Sequence, residues 1–229
     1  MVYCHIFYIC KIIYLCRKLK SKINIPQIKN RIKMIPKLPI SKKKRLVIIQ
    51  FLDENECKTG YVLANNIRQS SPFIGNVDYF SSSKKDEIIN YISQDIPHII
   101  REDEEVAVYI DTHGFSSCDG IGHKKDFISW DELVLAIKNA VNKLRTLPII
   151  ILTACNGISI KNTINQLDEP ICSKLYAGDG IMLNGPVMGG FSRLLNESGL
   201  EFGEKELETL NEELAKRDNP PFICIDYKP

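Results

Sequence analysis

No Cys-x-x-Cys pair occurs in the 229 residues, so a zinc ribbon and a thioredoxin-like redox motif have no support. Eight cysteines are too sparse for a small disulfide scaffold, and a reducing intracellular setting is the simplest one for them. There is no P-loop and no dinucleotide glycine fingerprint, because Gly178, Gly180 and Gly185 do not follow a strand-to-helix phosphate pattern. Internal repeats are absent, and so is any interleaving of aromatic and basic residues that would suggest a base-stacking surface. A composition 44% hydrophobic and 25% charged excludes a wholly disordered or collagenous chain.

Asp and Glu are missing from residues 1–45, which carry 13 Lys or Arg, whereas residues 46–229 carry 17 basic and 28 acidic residues. Two segments with different physical roles have been joined: a basic N-terminal segment, 1–45, and a body, 46–229. Residues 2–16 are mostly apolar. As a helix they would rise about 22 Å, short of the roughly 30 Å hydrocarbon core. Neither a basic n-region nor a small-residue cleavage site marks a secretory signal. Three readings stay open: an interfacial helix giving weak membrane-surface contact through residues 2–20, a partner-docking helix, or an upstream stretch before an alternative start at Met34. Pro26, Pro36 and Pro39 interrupt helix in 17–45, and SKKKR at 41–45 reads as a solvated basic linker. The expected localisation is cytoplasmic, with membrane association through the N-terminal segment as the variant.

The body alternates between strand and helix patterns. Short branched-apolar runs at 45–52, 77–82, 105–114 and 147–157 predict buried strands. Helical spacing covers 60–69, 83–100 and 129–145. In the second of these, Ile88, Ile89, Ile92 and Ile96 share a face, and Pro97 ends or kinks the helix. Ser129 and Glu132 form a capping-box pattern at the start of the third. Residues 115–128 read as a polar loop, and 158–180 as loop with short helix. A fifth strand is expected at 181–187, helices at 189–199 and 204–217, and a last edge strand at 221–227. The order predicts an α/β fold: a three-layer α/β/α sandwich with a mostly parallel sheet.

Open parallel sheets bind ligands beyond the carboxyl ends of their strands. One strand ends in His113-Gly114, the next in Cys155-Asn156-Gly157. If these strands are neighbours, imidazole and thiol reach the same edge. Such a histidine can take the thiol proton and later protonate a leaving amine. Gly114 suits close approach of a backbone, and its amide with that of Cys155 can face a developing oxyanion. Taken singly, a cysteine in an apolar strand is core and a lone histidine is structural; the pairing carries the case. Cys57, Cys172 and Cys224 read as core or loop. Cys118 and His123 match no standard metal spacing with His113 and Cys155, so no metal is expected.

VAVYIDTHGF, 106–115, and IIILTACNG, 149–157, resemble the two catalytic blocks of the caspase-like cysteine peptidases: a hydrophobic strand into His-Gly, then one into Ala-Cys. The resemblance spans roughly residues 45–200 and is nearest in flavour to small bacterial caspase-like domains. It implies His113 and Cys155 as catalytic residues and Gly114 in the oxyanion role. It also implies a cysteine endopeptidase without cofactor, acting on a protein or peptide through an acyl-enzyme. Caspases carry Gln-Ala-Cys-x-Gly, whereas this chain has Thr153-Ala154-Cys155-Asn156-Gly157. Metacaspases place an Asp where Thr153 stands, so the cleavage preference does not carry over. Asp111, Asp119, Asp126 and Asp179 are candidates for an acidic substrate pocket, although each reads first as an ordinary loop or strand-end carboxylate. The body has little room for its own sensor. A separate sensor or regulatory protein is therefore expected, as in bacterial relatives acting in antiviral defence or cell death. Nucleic acid is not expected for 46–229. The alternative is a catalytically silent interaction or scaffold module of the same fold.

Overall fold

The computed structural model describes residues 43–200 and 202–227. The expected N-terminal helix and most of the basic linker lie outside them. Among the described residues are eight strands, and the four strands and intervening helices predicted between 45 and 157 are present. β1 is Lys43–Phe51, α1 Thr59–Ser70, β2 Asn76–Ser81 and α2 Lys85–Asn90. α2 continues through a π-helical turn, Tyr91–Asp95, into Ile96–Ile99. Next come β3, Glu104–Gly114, the short strands β4, Gly120–His123, and β5, Asp126–Ser129, and then α3, Trp130–Val141. β6, Ile149–Thr153, leads through a 3-10 turn, Gly157–Ile160, into α4, Lys161–Ile164. β7, Lys174–Gly178, α5, Asn184–Ser198, α6, Glu204–Ala215, and β8, Phe222–Asp226, complete the body.

The main sheet has the order β2-β1-β3-β6-β7-β8. Its ladders are parallel from β2 to β7, and β8 closes one edge antiparallel to β7. Strand alternation sends side chains to two separate cores. Val47, Ile49, Val108, Ile110, Ile150 and Leu152 pack against Ile88, Ile92 and Ile96 of α2 and Leu133 and Ile137 of α3. Leu46, Ile48, Ala107, Tyr109, Ile151 and Tyr176 pack on the opposite face against Leu63 and Ile67 of α1, Phe191 and Leu194 of α5, and Leu210 and Leu214 of α6. Each fully buried Val, Leu, Ile or Phe side chain among them contributes roughly 1.5–3 kcal/mol. The architecture is thus the predicted α/β/α sandwich. None of the helices among the described residues is long and apolar enough to cross a membrane.

Four local expectations differ. Residues 181–187 form no strand: α5 starts at Asn184, and Pro186 sits in its first turn, where a missing N–H breaks no helical bond. The strand lies earlier, at β7, inside the stretch expected to be loop; it is only five residues long and its flanks are polar. Residues 115–128 are not all loop, since β4 pairs with both β3 and β5. In sequence Ser83 with Asp86 and Glu87 makes a sensible helix start, but Ser83 does not cap α2, which has no side-chain cap. By contrast, the Ser129–Glu132 capping box of α3 is complete. Pro97 does not end the helix, which runs on to Ile99: it has no N–H for the Ser93 carbonyl, which instead accepts from Lys143 Nζ at 3.2 Å.

Arg45 is no solvated linker charge. It lies in β1 with its side chain 9% exposed, donates to Glu104, whose side chain is 0% exposed, and pairs with Asp78. Burial pushes the Glu104 carboxyl up, but the Arg45 donors, the Arg101 amide and Asn76 outweigh it and hold it below the usual range. A depressed carboxylate stabilises the fold above its unfolded pKa, about 4.3, and that stability is lost as pH falls through the folded value. Denaturant titration should therefore show stability falling below about pH 4, and less steeply in Glu104→Gln. Arg45→Met strands a buried charge and should cost about 3–5 kcal/mol. An unchanged denaturation midpoint in Arg45→Met would refute this account of the ion pair.

Candidate active site

The parallel register of β1, β3 and β6 aligns Gln50 with Asp111 and Asp111 with Thr153. Gln50, Asp111 and Thr153 are all buried and form a polar row. By strand parity the row lies on the α1/α5 face, continuing Ile48, Tyr109 and Ile151. His113 is the last residue but one of β3, and Cys155 stands in the turn two residues past the end of β6. Cys155 packs against that core, half-buried.

The polar row serves α1, whose N-terminus has no local side-chain cap. Thr59 Oγ1 donates to Asp111 Oδ2 at 2.5 Å, and the Gly60 amide donates to Gln50 Oε1 at 3.0 Å. Burial pushes the Asp111 carboxyl up, against the lowering effect of its Thr59 and Gly60 bonds. Thr153 Oγ1 donates to the Ile110 carbonyl at 3.0 Å. Asp111 and Thr153 are therefore engaged in holding the base of the site.

Gly114 lies directly against Cys155. A Cβ on Gly114 would fall 1.7 Å from the Cys155 carbonyl oxygen and 2.9 Å from its nitrogen. Only glycine lets these two strand ends approach so closely. Past Cys155 the chain turns through Asn156 at φ 54°, a left-handed conformation that asparagine tolerates better than most residues. The Asn156 amide donates to the Gly180 carbonyl at 2.8 Å, and its Nδ2 to the Phe115 carbonyl at 3.4 Å. The turn holding Cys155 is thereby tied to the segments that follow β7 and β3. Cys155 Sγ accepts from the Met182 amide at 3.3 Å. On either side of Met182, Ile181 is 80% exposed and Leu183 57%.

His113 Nε2 meets Glu56 Oε1 at 2.8 Å. Sequence reasoning missed Glu56: in the run Asp53-Glu54-Asn55-Glu56 it is one polar residue among several, with no periodicity to single it out. Met182 was missed as well, because its contribution is a main-chain amide that any residue supplies.

The other candidates are dispersed. Asp119 is exposed and accepts from Ser117 Oγ at 2.6 Å. Asp126 Oδ2 accepts from the Lys85 amide at 2.6 Å. Both line a cleft of about 500 Å³ with Phe115, His123 and Lys125, and neither His113 nor Cys155 lines it. Asp179 is exposed just past β7, its amide donating to the Pro221 carbonyl at 3.1 Å. Cys118 Sγ faces the Ser116 carbonyl, and His123 Nε2 the Ser83 carbonyl at 2.9 Å. Among the described residues no group of three or more His, Cys, Asp or Glu is placed to hold a metal ion.

No protein-family model and no curated protein matches the chain. Solved structures do. Caspase-1 from Spodoptera frugiperda is 15% identical, with a TM-score of 0.55 over 81% of this chain and 87% of that one. The structure of pro-sf-caspase-1 is 15% identical, with a TM-score of 0.51 over 81% and 92% of the two chains. drICE is 12% identical, with a TM-score of 0.52 over 81% and 88%. At such identities the likeness is one of fold, and the fold of this chain is caspase-like.

Proposed function

We propose that the chain is a cysteine endopeptidase working through Cys155 and His113. One observation carries the reading. The parallel pairing of β3 with β6, and Gly114 pressed against the Cys155 backbone, support a pairing of the two side chains at one edge of the sheet. In the proposed reaction the Cys155 thiol gives its proton to His113 and its sulfur bonds to the scissile carbonyl carbon. The carbon–nitrogen bond then breaks, and the amine leaves with the proton from His113. Water, giving a proton to His113, attacks the thioester and releases the acid, and the thiol is restored. The amides of Gly114 and Cys155 are the proposed oxyanion donors. No step calls for a cofactor. The substrate is a protein or peptide; of the four acidic candidates, exposed Asp179 is the carboxylate freest to meet a substrate side chain. A separate sensor or regulatory protein completes the proposal.

A peptide-like electrophile tests it. Mass-spectrometric mapping should find Cys155 modified faster than exposed Cys57 and faster than Cys118, since a peptide-recognising site concentrates the reagent at its nucleophile. Equal modification of the three thiols would reject the peptidase and favour an interaction module of the same fold.

A further inference from the structure

We propose that Glu56 is a positioning residue for His113, setting which imidazole nitrogen does the acid–base work. The inference rests on the peptidase reading, and its test separates the two. Glu56 is itself held in place: its amide donates to the Asp53 carbonyl at 3.0 Å, and its Oε2 accepts from the Asp53 amide at 2.8 Å. That tight turn directly follows the carboxyl end of β1, the strand beside β3. The remaining oxygen, Oε1, is left aimed at His113 Nε2.

An ionised carboxylate only accepts hydrogen bonds, so the nitrogen facing it carries the proton. In a neutral imidazole the other nitrogen is then a bare acceptor. Glu56 thus selects the Nε2–H tautomer and assigns proton transfer with Cys155 to Nδ1. Without the carboxylate, ring rotation and tautomer exchange would populate arrangements in which Nδ1 carries the proton and cannot take the thiol's. The His113 and Glu56 side chains are 41% and 37% exposed, and a pair so open to water adds little to stability. Its consequence is geometric.

Wild type, Glu56→Ala and Glu56→Gln should be compared by steady-state kinetics on a peptide library and by 15N NMR of labelled histidine, with the His113 signal assigned from His113→Ala. Glu56→Ala should lower kcat about 10- to 100-fold, the usual scale for a group that orients a functional imidazole, with KM and melting temperature little changed. Glu56→Gln should recover part of that loss, because its amide oxygen still accepts from Nε2. Wild-type His113 should be the Nε2–H tautomer, and Glu56→Ala a mixture. A wild-type Nδ1–H tautomer, or Glu56→Ala with unchanged kcat and tautomer, overturns the proposal while leaving the peptidase reading intact. If the wild type hydrolyses nothing, the peptidase reading falls and the tautomer measurement still decides the role of Glu56.

Discussion

Cys155→Ala should reduce hydrolysis of a peptide pool to background, a loss of roughly a thousandfold or more. The sulfur is the atom that forms the proposed acyl-enzyme, and alanine offers nothing in its place. His113→Ala should cost about 10²–10⁴-fold, because the thiol loses its proton acceptor and the leaving amine its donor. The double variant should be no worse than Cys155→Ala alone, since the two groups act as a unit. Folding is not at stake in either change. His113 is 41% exposed and Cys155 only half-buried, so stability should move by roughly 0–2 kcal/mol. Cys172→Ala lies in the core far along the chain and should keep activity if it folds, as should Cys118→Ala. Full turnover by purified Cys155→Ala would end the peptidase assignment.

Gly114→Ala should be the most damaging single-methyl change in the molecule's active half. The added carbon would sit 1.7 Å from a carbonyl oxygen and 2.7 Å from the carbonyl carbon of Cys155. Both are backbone atoms, so no rotamer change relieves the clash. Either β3 and the turn after β6 separate or the Cys155 peptide rotates, and each outcome moves the nucleophile relative to His113. We expect about 4 kcal/mol or more of lost stability in urea titration, with hydrolysis lost even where the fold survives. Gly189→Ala supplies the contrast. That glycine is exposed in α5 and a Cβ there meets nothing within 4 Å. Helix propensity alone then decides, and a gain of roughly 0.5–1 kcal/mol is expected. Equal behaviour of the two variants would contradict the close approach at Gly114.

The glycine also shows how sequence and structure divide the account. The residue pair His113-Gly114 is conspicuous at the end of an apolar run, and its meaning as a place of close approach is readable there. What approaches is not readable. The nearest atoms belong to Cys155, 41 residues onward, and that contact depends on β3 and β6 lying side by side.

Determined by the sequence alone were the elements with strong periodicity: the branched-apolar runs of β1, β3 and β6, the capped amphipathic α3, and hence a helix-covered parallel sheet. Local patterns suffice there because side-chain period and secondary structure are set by the same few neighbouring residues. The two strand-end residues His113 and Cys155 were legible for the same reason. The tertiary structure alone decided the rest. β7, Lys-Leu-Tyr-Ala-Gly, has no branched-apolar run to announce it and exists because β6 and β8 offer it partners. Arg45 looks like the last charge of a basic linker until Glu104 and Asp78 enclose it. Asp111 is one of four candidate carboxylates in the sequence, and only the fold shows it bound to Thr59 at the start of α1. Glu56 reaches His113 across 57 residues of chain. Each of these depends on a partner distant in sequence, and a distant partner leaves no period or spacing for the linear chain to show.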